Sequence, residues 1–312
     1  MKDIKKQHKR LSNEKVGYLY VMPAVIFIII FVVYPIGYNL LISLQKYDIS
    51  TFQNGLKEFI GLANYKSIFS DELFLKSVSN TFLFTIVCIV FQLGIGFFLA
   101  LFFNKKFPGA NFTSGLTLIA WVMPMLVIGI IWKWLWASDS GVINYFLQNI
   151  NLIDQPIQWL NDPKWAMIAI IITNIWVGIP FNMLLVLTGM TTISDDIYEA
   201  ATIDGATKSQ SLRYITLPLL KPTMVSAITI GFIYTFKAYD LIVGMTQGGP
   251  NHATEMISTL IYQENFTTFD FGKGSAMANV YFLIIFVVAI FYSKLVYQNC
   301  RKIGENPCGI HT

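Results

Sequence analysis

Two sets of small, polar and aromatic residues recur at helical spacing in strongly apolar surroundings. Asn174, Gly178 and Phe181 fall at i, i+4 and i+7, and Gly231, Tyr234, Thr235 and Ala238 at i, i+3, i+4 and i+7. At these spacings each set lies on one helical face. The chemistry they can do is non-covalent. An aromatic ring stacks on the apolar face of a sugar, an amide and a hydroxyl bond its hydroxyl groups, and glycine leaves room. Helix packing uses the same residue types, because Gly, Ala, Thr and Asn are frequent contacts between membrane helices. Spacing alone favours packing.

Nothing in the sequence points to covalent chemistry. His8, His252 and His311 are isolated, and Cys88, Cys300 and Cys308 have neither metal-ligand nor redox spacing. The chain contains no HExxH run and no GxxxxGK[ST] loop, so the usual cradle for ATP is missing. Lys237 and Asp240 stand at i, i+3 in an apolar run and are expected to pair toward its outer mouth rather than to touch a solute. Asp139 and Glu264 read as solvated loop charges.

The elements that must position these residues are membrane spans. Of 312 residues, 54% are hydrophobic and only 13% charged, against about 25% charged in ordinary soluble domains. The net charge of +4 lies beside apolar runs, which argues against nucleic acid as a partner. Six spans are expected at about 17–44, 77–103, 114–137, 165–190, 223–246 and 276–298. The first is too long for a signal h-region and lacks a small-residue cleavage site, so it reads as a retained span. Proline is expected to interrupt several of them (Pro23, Pro35, Pro124, Pro180). Trp132, Trp134, Trp136, Trp159 and Trp165 are expected to mark an interfacial belt. Lysine and arginine concentrate in residues 1–16, at Lys105 and Lys106, at Lys208, Arg213 and Lys221, and in the tail from 299 to 312. The positive-inside rule then places both termini in the cytoplasm, with residues 17–298 as the membrane domain.

The same rule places residues 194–222 in the cytoplasm. Ser194 can cap a helix with Asp195 and Asp196 in its first turn, Asp204-Gly205 permits a bend, and Thr207 or Ser209 can start a second short helix. Leu217-Pro218 and Lys221-Pro222 are expected to stop that helix and launch the fifth span. A helix lying at the lipid surface is the plainer account, but four acidic residues crowd the first half, which anionic lipid would repel.

The stretch "EAATIDGA" followed by "YITLPLLKP" resembles the EAA loop of binding-protein-dependent ABC importer permeases. "GLANYKSIF", "NTFLFT" and "MTQGGPNHATEMISTLIYQENFTTFDFGKGSAMA" extend the resemblance to carbohydrate-uptake permeases of the maltose type, in a shorter form, over nearly the whole chain. The resemblance implies an all-α integral membrane protein of the type I importer class, with six transmembrane helices and a cytoplasmic coupling helix, in a bacterial cytoplasmic membrane. It implies that Glu199, Ala200, Ala201, Asp204, Gly205 and Ala206 dock on a separate ATPase. That ATPase would hold ATP and Mg; this chain would carry no cofactor and catalyse nothing. The implied partners are a second homologous permease, two ATPase subunits and an extracytoplasmic solute-binding protein. Asn174, Gly178 and the aromatic Phe181 and Tyr234 match the family's sugar-contacting positions. Gly231, Thr235 and Ala238 depart in type and leave the solute open. Glycerol phosphate or another polar solute is the alternative, and an ion-coupled secondary transporter a more distant one.

Overall fold

The computed structural model describes residues 13–54, 58–105 and 107–303. Lys106 and the terminal segments 1–12 and 304–312, with most of the basic N-terminus and tail, lie outside the described residues. The first helix already begins at Asn13, and the last runs to Ile303, past the expected start of the tail.

The described chain is almost wholly helical, apart from a two-stranded hairpin of β1 (Gln45–Lys46) and β2 (Glu58–Phe59). The principal helices are α1 (Asn13–Ile28), α2 (Tyr34–Ser43), α3 (Glu72–Phe103), α4 (Ala110–Thr117), α5 (Ile119–Val122), α6 (Met125–Leu135) and α7 (Pro163–Thr191). They continue as α8 (Asp195–Ile203), α9 (Lys208–Ser211), α10 (Leu217–Phe236), α11 (Asp240–Met245), α12 (Ile257–Phe266) and α13 (Phe271–Ile303). Among the described residues five helices are long and apolar enough to cross a membrane: Gly17–Ser43, Glu72–Phe103, Pro163–Thr191, Lys208–Phe236 and Phe271–Phe291. A sixth crossing is a bent pair, Phe112–Val122 and Met125–Leu135, turned by 95° at Met123-Pro124. α3 and α7 pack along most of their length, α10 lies against both, and α13 packs on α2 and α12.

Several boundaries differ from the expected ones, each for a local reason. α3 and α7 start early because Asp71 and Asp162 cap them, accepting from Leu73 N and from Lys164 N and Trp165 N. The fifth span starts at Lys208 rather than 223, because Pro218 and Pro222 do not stop the helix. A π-helical turn, Leu212–Thr216, stands two residues before Pro218, and another, Ile29–Val33, two residues before Pro35. Proline crowds the carbonyl four residues back and offers no N–H. Widening that turn to i→i+5 bonds, Tyr34 N to Ile29 O and Leu217 N to Leu212 O, carries the helix past it. Pro23 and Pro180 lie inside continuous helices.

The tryptophans form a core rather than a belt. Trp136 and Trp159 are buried, with ring centroids 4.7 Å apart, and Trp165 meets Trp159 at 4.9 Å. Each buried indole finds an acceptor: Trp136 Nε1 donates to Thr173 Oγ1 at 3.0 Å and Trp159 Nε1 to Asn144 Oδ1 at 2.8 Å. Only Trp134 of the predicted belt is strongly exposed. Glu264 is likewise not a solvated loop charge. Lys273 Nζ donates to Glu264 Oε1 at 2.9 Å and to Asp71 Oδ2 at 2.8 Å, tying the starts of α3 and α13 to α12. Asp139 is exposed.

Candidate solute cavity and coupling loop

The third and fifth spans both break partway, and the cavity lies at the breaks. Met123 and Pro124 are extended between α5 and α6, the conformation that a residue before proline favours. α10 ends at Phe236 and α11 begins at Asp240. The carbonyls freed there are met by distant side chains: Tyr281 Oη donates to Phe236 O at 2.9 Å and Ser258 Oγ to Ala238 O at 2.6 Å. The short helices beyond the two breaks pack backbone to backbone. A Cβ on Gly129 of α6 would stand 3.1 Å from Gly244 Cα of α11.

Beneath these breaks is a cavity of about 160 Å³. All seven residues of the two spaced sets line it: Asn174, Gly178 and Phe181 from α7, Gly231, Tyr234 and Thr235 from α10, and Ala238 at the break. Lys237, Tyr239 and Asp240 complete one end, and Gln92 and Trp121, which the spacing did not single out, complete the wall. Trp121 stacks on Phe181 at 5.0 Å with planes 12° apart, and Phe181 meets Tyr234 edge-on at 6.5 Å. Asn174 is buried and its Nδ2 has no hydrogen-bond partner among the described residues. A buried amide hydrogen without an acceptor is costly unless a ligand or water supplies one.

The two glycines differ in role. A Cβ on Gly178 would collide with the Gln92 side-chain amide, whose Nε2 donates to Asn174 O at 2.9 Å. Gly178 therefore serves helix packing and leaves no room for a solute. A Cβ on Gly231 would meet only Ile89, at 4.0 Å, so Gly231 does leave space.

Lys237 and Asp240 do not pair. Their i, i+3 spacing brings side chains together only on a continuous helix, and the helix is interrupted between them, with Tyr239 at φ −130°, ψ −59°. Lys237 Nζ instead lies 5.7 Å from the centre of the Tyr234 ring.

At the other end of α7 the polar loop folds as two short helices about Gly205. Ser194 Oγ accepts from Asp196 N, and Asp195 and Asp196 occupy the first turn of α8. Gly205, at φ +77°, closes α8 through Gly205 N→Thr202 O (3.1 Å) and Ala206 N→Ala201 O (2.9 Å), the paired bonds of a Schellman cap. Thr207 and Gln210 then form a reciprocal capping box at the start of α9. Ala201 is buried and Tyr198 Oη meets Thr216 Oγ1 at 3.0 Å, so these two face the chain rather than a partner. Asp196, Glu199, Ala200 and Ile203 share the opposite face, and Ile203 is 86% exposed. The helical spacing carried that face, but Ile203 was not among the expected docking residues.

This is the architecture of an importer's membrane-spanning subunit, six crossings with a broken-helix cavity and a short-helix loop at one face. The family described as the binding-protein-dependent transport system inner membrane component matches residues 92–297, and the chain belongs to it. It is 32% identical to the trehalose/maltose transport system permease protein MalF of Thermococcus litoralis, covering 92% of this chain and 95% of that one. It is 34% identical to the sulfoquinovosyl glycerol transport system permease protein SmoG of Agrobacterium fabrum, over 92% of each chain. In fold it is similar to a chain from a crystal structure of a bacterial ABC transporter that imports the acidic polysaccharide alginate. That match has a TM-score of 0.77 and 21% identity, covering 91% of this chain and 96% of the other.

Proposed function

We propose that this chain is the permease subunit through which a sugar or short oligosaccharide crosses the cytoplasmic membrane by alternating access, with both termini in the cytoplasm. The observation that carries the solute class is the cavity. Stacked aromatic rings face a buried amide whose donor is free, and the two meet where broken helices open the membrane interior. Relatives named for maltose, trehalose and sulfoquinovosyl glycerol support it. The chain has no phosphate-cradling loop, so ATP and Mg²⁺ belong to two separate ATPase subunits, which dock on the Glu199–Ala200–Ile203 face of α8. A second, homologous permease completes the path, and an extracytoplasmic binding protein delivers the solute. ATPase closure moves α8 and α9 and, through the unbroken helix from Lys208 to Phe236, shifts the cavity wall.

Lys237 at the cavity favours a second reading, an anionic solute, and one relative is named an sn-glycerol-3-phosphate transport system permease (27% identity). Asp240 on the same wall opposes it. Proteoliposomes holding the chain with its co-encoded ATPase, permease and binding protein distinguish the two. ATP-dependent uptake of maltose or trehalose is expected. Uptake of glycerol 3-phosphate alone would select the anionic solute, and uptake on an ion gradient without the ATPase would refute the proposal.

A further inference from the structure

A second pocket, about 580 Å³, opens at the end of the bundle opposite the helix breaks, between the end of α3 and the membrane-facing side of the α8–α9 loop. Its floor is apolar, with Phe98 and Phe102 from α3 and Met190 from α7. Its polar walls carry the hydroxyls of Thr202 and Ser211 and two cations, Lys105 and Lys208. Among the described residues no carboxylate lines it: Asp195, Asp196, Glu199 and Asp204 all lie elsewhere on the loop. Neither lysine forms an ion pair with a described residue.

The floor is continuous with a stripe on the outside of the bundle. Phe91, Ile95, Phe98 and Phe102 stand at i, i+4, i+7 and i+11 of α3, and all four are exposed, Phe98 to 70%. An apolar stripe as long as half a bilayer, ending in two cations without an ion-pair partner among the described residues, complements an amphiphile with a negative head in shape and charge.

We infer that this pocket binds one anionic phospholipid of the leaflet on the coupling-loop side, its acyl chain along Phe91–Phe102 and its phosphate between Lys105 and Lys208. The inference rests on the proposed function only for which leaflet that is. A lipid seated there touches both α3 and the loop that the ATPases are proposed to drive, so its occupancy sets how firmly the loop is held against the bundle.

Lipid retention tests this without transport. The full-length chain, purified in neutral detergent and offered equal phosphatidylglycerol and phosphatidylcholine, is weighed intact by native mass spectrometry. One retained phosphatidylglycerol is expected, preferred over phosphatidylcholine. Lys105→Gln with Lys208→Gln should lower that preference roughly 30-fold. Lys105→Arg with Lys208→Arg should keep it, and Phe98→Gln with Phe102→Gln should weaken retention of both lipids. If the double glutamine variant aggregates, each single variant carries the test with a loss of roughly fivefold. Equal retention of both lipids by the unaltered chain would overturn the inference. So would an unchanged preference in the glutamine variants, displacement by inorganic phosphate, or efficient cross-linking of Phe98→Cys to a second permease in the assembled complex. Failure of every sugar to be transported would overturn the proposed solute and leave this result standing.

Discussion

Asn174 and Gly178 sit one turn apart on the same helix, yet the structure gives them opposite work. Asn174 presents a buried amide nitrogen without a partner among the described residues, whereas Gly178 accommodates Gln92. Replacement should separate the two. Asn174→Ala removes a hydrogen-bond donor from the cavity and is expected to raise the solute concentration for half-maximal uptake roughly tenfold with the melting temperature nearly unchanged. Trp121→Ala removes the ring stacked on Phe181 and should act similarly. Gly178→Ala must displace the Gln92 amide, so it should destabilise by roughly 1–3 kcal/mol while leaving that half-maximal concentration alone. Concentration-dependent uptake and thermal melts, read side by side, decide this. An Asn174→Ala protein with ordinary uptake would make the whole set packing residues. Gly231→Val offers the reverse check, since it fills open space and should block uptake without loss of stability.

The elements differ in how visibly they are written in the sequence. The α8–α9 loop is legible because its signals are local: Ser194, Gly205, Thr207 and Gln210 each act within a few residues of their own position. Its strength is testable on the same ground. Gly205→Ala forces a β-carbon into the left-handed region at a cost of about 1 kcal/mol. Gly205→Pro also removes the N–H that closes α8 onto Thr202, and should uncouple ATP hydrolysis from uptake. Ile203→Asp changes an exposed side chain, so it should reduce co-purification with the ATPase while the melting temperature holds; co-purification at ordinary yield would remove Ile203 from the docking face. The break at Lys237–Tyr239 was not legible, because it depends on Tyr281 and Ser258, whose hydroxyls donate to its loose carbonyls from other helices. The tryptophan core was hidden for the same reason. Asn144 and Thr173 make burial of the indoles affordable, and no periodicity connects them. The seven cavity residues were legible as faces, since helical spacing survives folding, but Gln92 and Trp121 come from other spans and carry no shared spacing.

At the scale of the molecule, one clamp joins parts of the chain that are far apart in sequence. Lys273 holds both Asp71 and Glu264, and through them fixes the starts of two spans and the helix between them. The hydrogen bond from Lys273 holds the Asp71 carboxyl below the usual carboxylate range, with help from the amide of Leu73. A depressed carboxylate stabilises the fold in full above its unfolded pKa, about 4, and that share is lost as pH falls through the lower folded value. The clamp should therefore begin to loosen at about pH 4 and weaken further below it. Asp48 is also depressed, brought to about 2 chiefly by the Ser50 hydroxyl, but it lies outside the clamp. Lys273→Met leaves two half-buried carboxylates without their cation and should cost roughly 2 kcal/mol at neutral pH. Detergent-solubilised protein melted at pH 6, 4 and 3 should show a shallower acid loss in Asp71→Asn and Lys273→Met than in the unaltered chain, and an unaltered share of that loss attributable to the clamp in Asp48→Asn. Parallel acid profiles in all four proteins would mean that the three side chains hold nothing together and that these ends of the spans are fixed by apolar packing alone.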